Sequence, residues 1–146
     1  MAYQNAYTAY QRTNINTASQ GRLVVLLYEG AVKNLTTALN LFGDDDKLKP
    51  KDIETFGNHM QKAQAIITEL QVSLDMEKGG DIAKNLMSLY IYFNEEIMSI
   101  IINRDKKKLG TILGMIRDLT DSWRQIANST ANAPAAKVSN ALNIEG

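Results

Sequence analysis

Apolar residues recur along this chain at alternating steps of three and four in four long stretches, the period of helices with one buried face. The third stretch, Ile82–Ile102, is the richest. Wound as a helix, it places Ile82, Leu86, Leu89, Tyr90, Phe93, Ile97, Ile100 and Ile101 on one broad stripe. Met87, Ile91, Met98 and Ile102 form a second stripe beside it. Only Lys84, Asn85, Ser88, Glu95, Glu96 and Ser99, with the amphipathic Tyr92, fill the remaining wedge. The combined apolar arc covers roughly 200°, about twice that of an ordinary surface helix. Either this helix is walled in on several sides, or one stripe is core and the other awaits a partner. A membrane span is excluded, because Lys84, Asn85, Asn94, Glu95 and Glu96 would sit in hydrocarbon. A buried strand is excluded by the length of the run.

The first helix is expected to begin at Thr17 or Ser19, where Thr17-Ala-Ser-Gln20 has the form of a capping box. Leu23, Leu26, Leu27, Ala31, Leu35, Ala38, Leu41 and Phe42 follow at helical spacing. Gly30 interrupts them at a cost of about 1 kcal/mol against alanine, which predicts close backbone packing there. Gly43 is the stop signal. Pro50 opens the second helix, with Ile53, Phe56, Met60, Ala63, Ile67, Leu70 and Leu74 as its inner face. Gly79 and Gly80 are expected to end it, and Asp81 to cap the third. Asp105 caps a fourth, whose inner face is Leu109, Ile112, Ile116, Leu119, Trp123 and Ile126. Short connections make sequential helices antiparallel neighbours. The expected fold is therefore all-α, an antiparallel up-down four-helix bundle over residues 17–130. A flexible N-terminal arm (1–16) precedes it and a weakly ordered Ala/Asn-rich tail (131–146) follows.

Composition narrows the function. Sixteen basic and sixteen acidic residues cancel, so no broad field favours nucleic acid or an anionic membrane. There is no cysteine, which removes thiol chemistry and fits a reducing compartment. The first residues lack the basic and apolar blocks of a signal peptide, so a cytoplasmic location is expected. His59, the single histidine, has no ligand-spaced partner and reads as a surface residue. Asp44-Asp45-Asp46 lacks the ligand spacing of a calcium loop, and Lys106-Lys107-Lys108 reads as a solvated face. Glu95 and Glu96 point about 100° apart on a helix and make no carboxylate pair. Without a convergent constellation, no enzyme and no cofactor is expected; a binding module remains.

Binding has a mechanism in this sequence. The second stripe of the third helix is surplus to one core face, and Met87 and Met98 adapt to irregular partner side chains. The competing reading is that the fourth helix and the arm cover that stripe; periodicity leaves both open. Within the arm, Tyr3, Tyr7 and Tyr10 would share one face of a helix, while its polar composition equally suits a structureless leader.

Several motifs are more specific than this. Tyr10, Asn16-Thr-Ala-Ser19 and Leu26-Leu27-Tyr28-Glu29-Gly30-Ala31 are followed by Ile66-Ile67-x-Glu-Leu70 and Ser73-Leu-Asp-Met-Glu-Lys-Gly-Gly-Asp-Ile-Ala83. Asn85-Leu86-x-x-Leu89-Tyr90-x-Tyr92 and Asp121-x-Trp123 close the series. In that order they resemble the FliS family, the flagellin-specific export chaperones, over about residues 7–126. The family commonly has proline where Gln20 stands, and the tail is not one of its signatures. The resemblance implies a cytoplasmic chaperone that binds the disordered C-terminal segment of flagellin, prevents premature polymerisation and delivers it to the flagellar export gate. Ile15, Leu23, Leu27, Met87, Tyr90, Ile91, Met98 and Ile102 form the expected flagellin-binding set; Tyr7 and Tyr10 are expected at the gate. The alternative is a self-associating bundle or adaptor, including a weak homodimer, without flagellin specificity. Neither reading involves nucleic acid, metal or insertion into a membrane.

Overall fold

The structure is a computed structural model; it describes residues 17–129, with side chains described within 21–128. Four helices follow in order: α1 (Thr17–Leu39), α2 (Ile53–Val72), α3 (Gly80–Asn103) and α4 (Lys106–Ser129). A single 3-10 turn, Pro50–Asp52, leads into α2, with proline in the first turn, where its missing N–H costs nothing. Cross-links fix the directions. Glu29 meets Arg124 and Thr36 meets Arg117, so α1 and α4 run antiparallel. Asn34 meets His59 and Phe42 meets Phe56, so α1 and α2 do too. With α3 packed against both α2 and α4, the four helices form a closed up-down ring.

The inner faces of α2 and α4 are those the apolar spacing marks, except that Ile53 is only half-buried and Leu74 is buried just past the end of α2; Leu113 and Thr120 join α4, and Thr120 returns its hydroxyl to the Ile116 carbonyl. On α1 the register differs. The buried stripe is Val24, Tyr28, Ala31, Leu35 and Ala38, while Leu23 and Leu26 point outward. The run Leu23–Leu27 is apolar on every side, so its spacing does not choose a face; Tyr28 does. Its hydroxyl lies 2.6 Å from that of Tyr90 across the bundle, and its ring lies 6.1 Å from Trp123. A buried phenol needs such a partner. Gly30 sits at a close approach, as expected: a Cβ there would stand 3.2 Å from Ile66 Cδ1. The helix stops at Leu39 rather than Phe42, but tightened turns carry Phe42 on to pack edge-on against Phe56 at 5.5 Å.

Three local expectations are corrected. Asp81 does not cap α3; the helix begins at Gly80, and Gly79 occupies the cap position without a side-chain bond. The turn is instead organised by Asp75, whose Oδ1 accepts the N–H groups of Glu77 (3.1 Å) and Lys78 (2.9 Å). Gly80 has φ +55°, the left-handed region that glycine enters without strain. His59 is not a free surface residue: its Nδ1 lies 2.9 Å from Asn34 Oδ1, and Asn34 donates to the Gly30 carbonyl. The lysine run is partly engaged, with Lys106 on Asp46 at 2.8 Å and Lys108 on Glu96 at 3.3 Å. Asp105 does cap α4, accepting the Lys108 N–H at 3.0 Å.

Candidate functional site

On α3 the core stripe Leu86, Phe93, Ile97 and Ile100 is fully buried. Ile91, Met98 and Ile102 lie beside it at i, i+7 and i+11, and they keep 44%, 47% and 69% of their surface exposed. The facing flank of α2 presents Ala65 and Thr68 between Gln64 and Gln71, and it does not roof them over. The result is an open groove of about 950 Å³ between α2 and α3. Among its lining residues Glu95 carries the only charge, the rest of the rim being amide or hydroxyl. Midway along it, Asn94 Nδ2 donates to Thr68 Oγ1 at 3.2 Å, and Asn94 Oδ1 is shielded from water without a hydrogen-bond partner. A trough of this composition can hold an apolar helical or extended segment.

Not all of the expected set lies here. Met87 is half-buried and belongs to a second depression of about 690 Å³ at the α2–α3 turn, beside Val72 and Met76. On α1, Leu23 is exposed and Leu27 half-buried. Leu26, assigned above to the core stripe, is 55% exposed and lines a third depression, between α1 and α4. Tyr90 is a correction: it has no exposed surface and holds Tyr28 from within the core, so in this state it presents nothing to a partner. Ile15, Tyr7 and Tyr10 lie outside the described residues. The spacing of apolar residues missed Thr68 and Asn94, because their pairing joins helices 26 positions apart. Ala65 and Thr68, small residues one turn apart on the flank of α2's core face, are the signal that marks that wall.

The α1–α4 depression is electrostatically organised. Arg124 places Nε and Nη2 on Glu29 Oε2 at 2.9 and 2.8 Å, and Nη1 on Asp121 at 3.0 Å. The hydrogen bond to Glu29 is the largest cause that holds the guanidinium above its ordinary pKa; partial desolvation opposes it, and the charges of Glu29 and Asp121 add to it. The groups are well exposed, so the cluster orients α4 on α1 more than it stabilises the fold. Among the described residues no three candidate ligands converge on a metal position, and no helix is long and apolar enough to cross a membrane.

Comparison with known proteins gives one consistent result. A family model described as flagellar protein FliS matches residues 3–130. The flagellar secretion chaperone FliS of Bacillus subtilis is 32% identical over 129 residues, 88% of this chain and 91% of the relative. Its namesake in Vibrio cholerae is 31% identical over 89% of this chain and 94% of its own length. That of Salmonella typhimurium is 32% identical over 77% and 80%.

Proposed function

The chain belongs to the FliS family of flagellar proteins, and from that premise we propose that it is a secretion chaperone whose client is the C-terminal segment of flagellin. The client lies in the α2–α3 groove over Ile91, Met98 and Ile102, and continues into the depression at the α2–α3 turn that exposes Met76. Covered in this way, its polymerising face is unavailable until it reaches the export gate, which the segment bearing Tyr7 and Tyr10 engages. The chaperone works in the cytoplasm, where flagellin is made, and by binding rather than catalysis.

The observation that carries this reading is the exposed second stripe of α3 beside an α2 wall of Gln64, Ala65, Thr68 and Gln71, which leaves it open. Single side chains in water are commonplace; three apolar ones aligned in one groove are a docking surface. A disordered client suits a surface spread over several shallow troughs, since it can wrap from one to the next.

Isothermal titration of the full chain with the C-terminal segment of its host's flagellin is expected to show saturable binding with a strongly negative heat-capacity change. Ile91→Asp combined with Met98→Asp is expected to abolish it. Binding that survives the double substitution would remove this groove as the client site. Concentration-dependent light scattering lost in the same variant would assign the stripe to self-association instead.

A further inference from the structure

The groove holds one group that its own fold does not use. Asn94 gives its Nδ2 to Thr68, and its Oδ1 is left without a donor where water does not reach. Exchanging the two ends of the carboxamide does not solve this: the oxygen could accept from the Thr68 hydroxyl, and the NH2 group would then be left over. In either orientation the free chain keeps a surplus polar group between α2 and α3. Such a group weakens a fold, whereas leucine and valine would occupy similar space without it.

The groove also has a geometric need. From Ile91 to Ile102 its apolar wall runs twelve residues of helix, roughly 16 Å. A client helix lying on three similar apolar side chains could slide by one turn and find nearly the same contacts. In coiled coils a single polar residue in an apolar seam removes this degeneracy, because only one alignment satisfies it.

Resting on the flagellin reading above, we infer that the Asn94–Thr68 pair sets the register of the client. The occupant is a helical piece of flagellin's C-terminal segment, with apolar side chains over Ile91, Met98 and Ile102 and one neutral or basic hydrogen-bonding side chain facing Asn94. The terminal torsion of asparagine is soft, so the carboxamide can turn its unpaired atom towards the groove when a client is bound. Glu95, the one charge lining the groove, disfavours an acidic group at that level.

The test uses the full chain, which has no cysteine of its own. Thr68→Val combined with Asn94→Leu removes the polar rung, and Asn94→Ala repeats the test by truncation should the double variant fold poorly. Each is titrated with the flagellin segment and melted in urea. In the Asn103→Cys background, each is also trapped by disulfide with flagellin segments carrying cysteine at successive positions. Binding is expected to weaken about tenfold. Trapping is expected to spread from one client position to positions a turn apart, with fold stability unchanged or higher in the double variant. Unchanged affinity overturns the inference, and so does a single trapped position. Lost stability with an unchanged trapping pattern also overturns it, since the pair would then be a structural link. Any of these with Ile91→Asp/Met98→Asp still abolishing binding sinks the register role alone; binding that survives the aspartates sinks the site.

Discussion

Alanine substitutions along α3 should partition between binding and stability according to how much of each side chain the fold already covers. Full burial of an isoleucine or methionine side chain contributes about 1.5–3 kcal/mol. Ile102 keeps 69% of its surface exposed, so a client that covers it can gain about 1–2 kcal/mol from this residue, and the free fold owes it less than about 1 kcal/mol. Ile91 and Met98, at 44% and 47%, should contribute about 0.7–1.4 kcal/mol to binding and a similar amount to stability. Ile97, one position from Met98 but wholly enclosed, should act on stability alone; Ile97→Val should cost about 0.5–1.5 kcal/mol, the Ile→Val norm, and leave affinity untouched. In Kd these figures mean roughly three- to tenfold weakening for Ile91→Ala or Met98→Ala and up to about thirtyfold for Ile102→Ala, less the part the alanine methyl retains. Titration gives the affinities and urea midpoints the stabilities. Losses of affinity that fail to follow exposure, above all Ile102→Ala within about twofold of wild type, would refute the assignment of the client to this groove.

Other outcomes follow from the scaffold. A double-mutant cycle on Tyr28→Phe and Tyr90→Phe should return a coupling of about 0.5–1.5 kcal/mol for their hydroxyl contact, read from urea unfolding, and a value near zero would show the contact to be incidental. Gly57, Gly110 and Gly114 lie inside helices, and a Cβ added at any of them would meet nothing within 4 Å. Alanine at each should therefore add about 1 kcal/mol, or roughly 2–4 °C in Tm. Gly30→Ala should add less than these three, because its methyl must displace Ile66 Cδ1. His59→Ala should cost about 1 kcal/mol through the lost bond to Asn34, whereas a residue in free solvent would cost nothing measurable.

Where one side of a helix is apolar and the other is not, spacing suffices to read most of the structure: α4 buries the residues its periodicity marks, and α2 all but Ile53 in its first turn. It fails where apolar residues surround the axis. Leu23 to Leu27 offers two equivalent registers, and the choice rests on a phenol that needs Tyr90, 62 positions away. The same limit applies to the site. The second stripe of α3 is legible because it exceeds one core face, but the α2 wall that turns it into a groove is not. Asn94 with Thr68, and His59 with Asn34, are pairs that chain spacing cannot propose. Asp81 is a reasonable cap on residue type alone; Asp75 takes the turn because its side chain reaches two successive N–H groups.

The ties between α1 and α4 have a temporal consequence. Glu29 reaches Arg124 across 95 positions and Thr36 reaches Arg117 across 81, so the two helices that close the ring are the first and last of the four described helices to leave the ribosome. Until α4 emerges, the side of the α1 core face that it covers stays open, and contacts of such long separation form late. During its own synthesis the chain therefore passes through a half-finished state in which part of its core is still open to other chains.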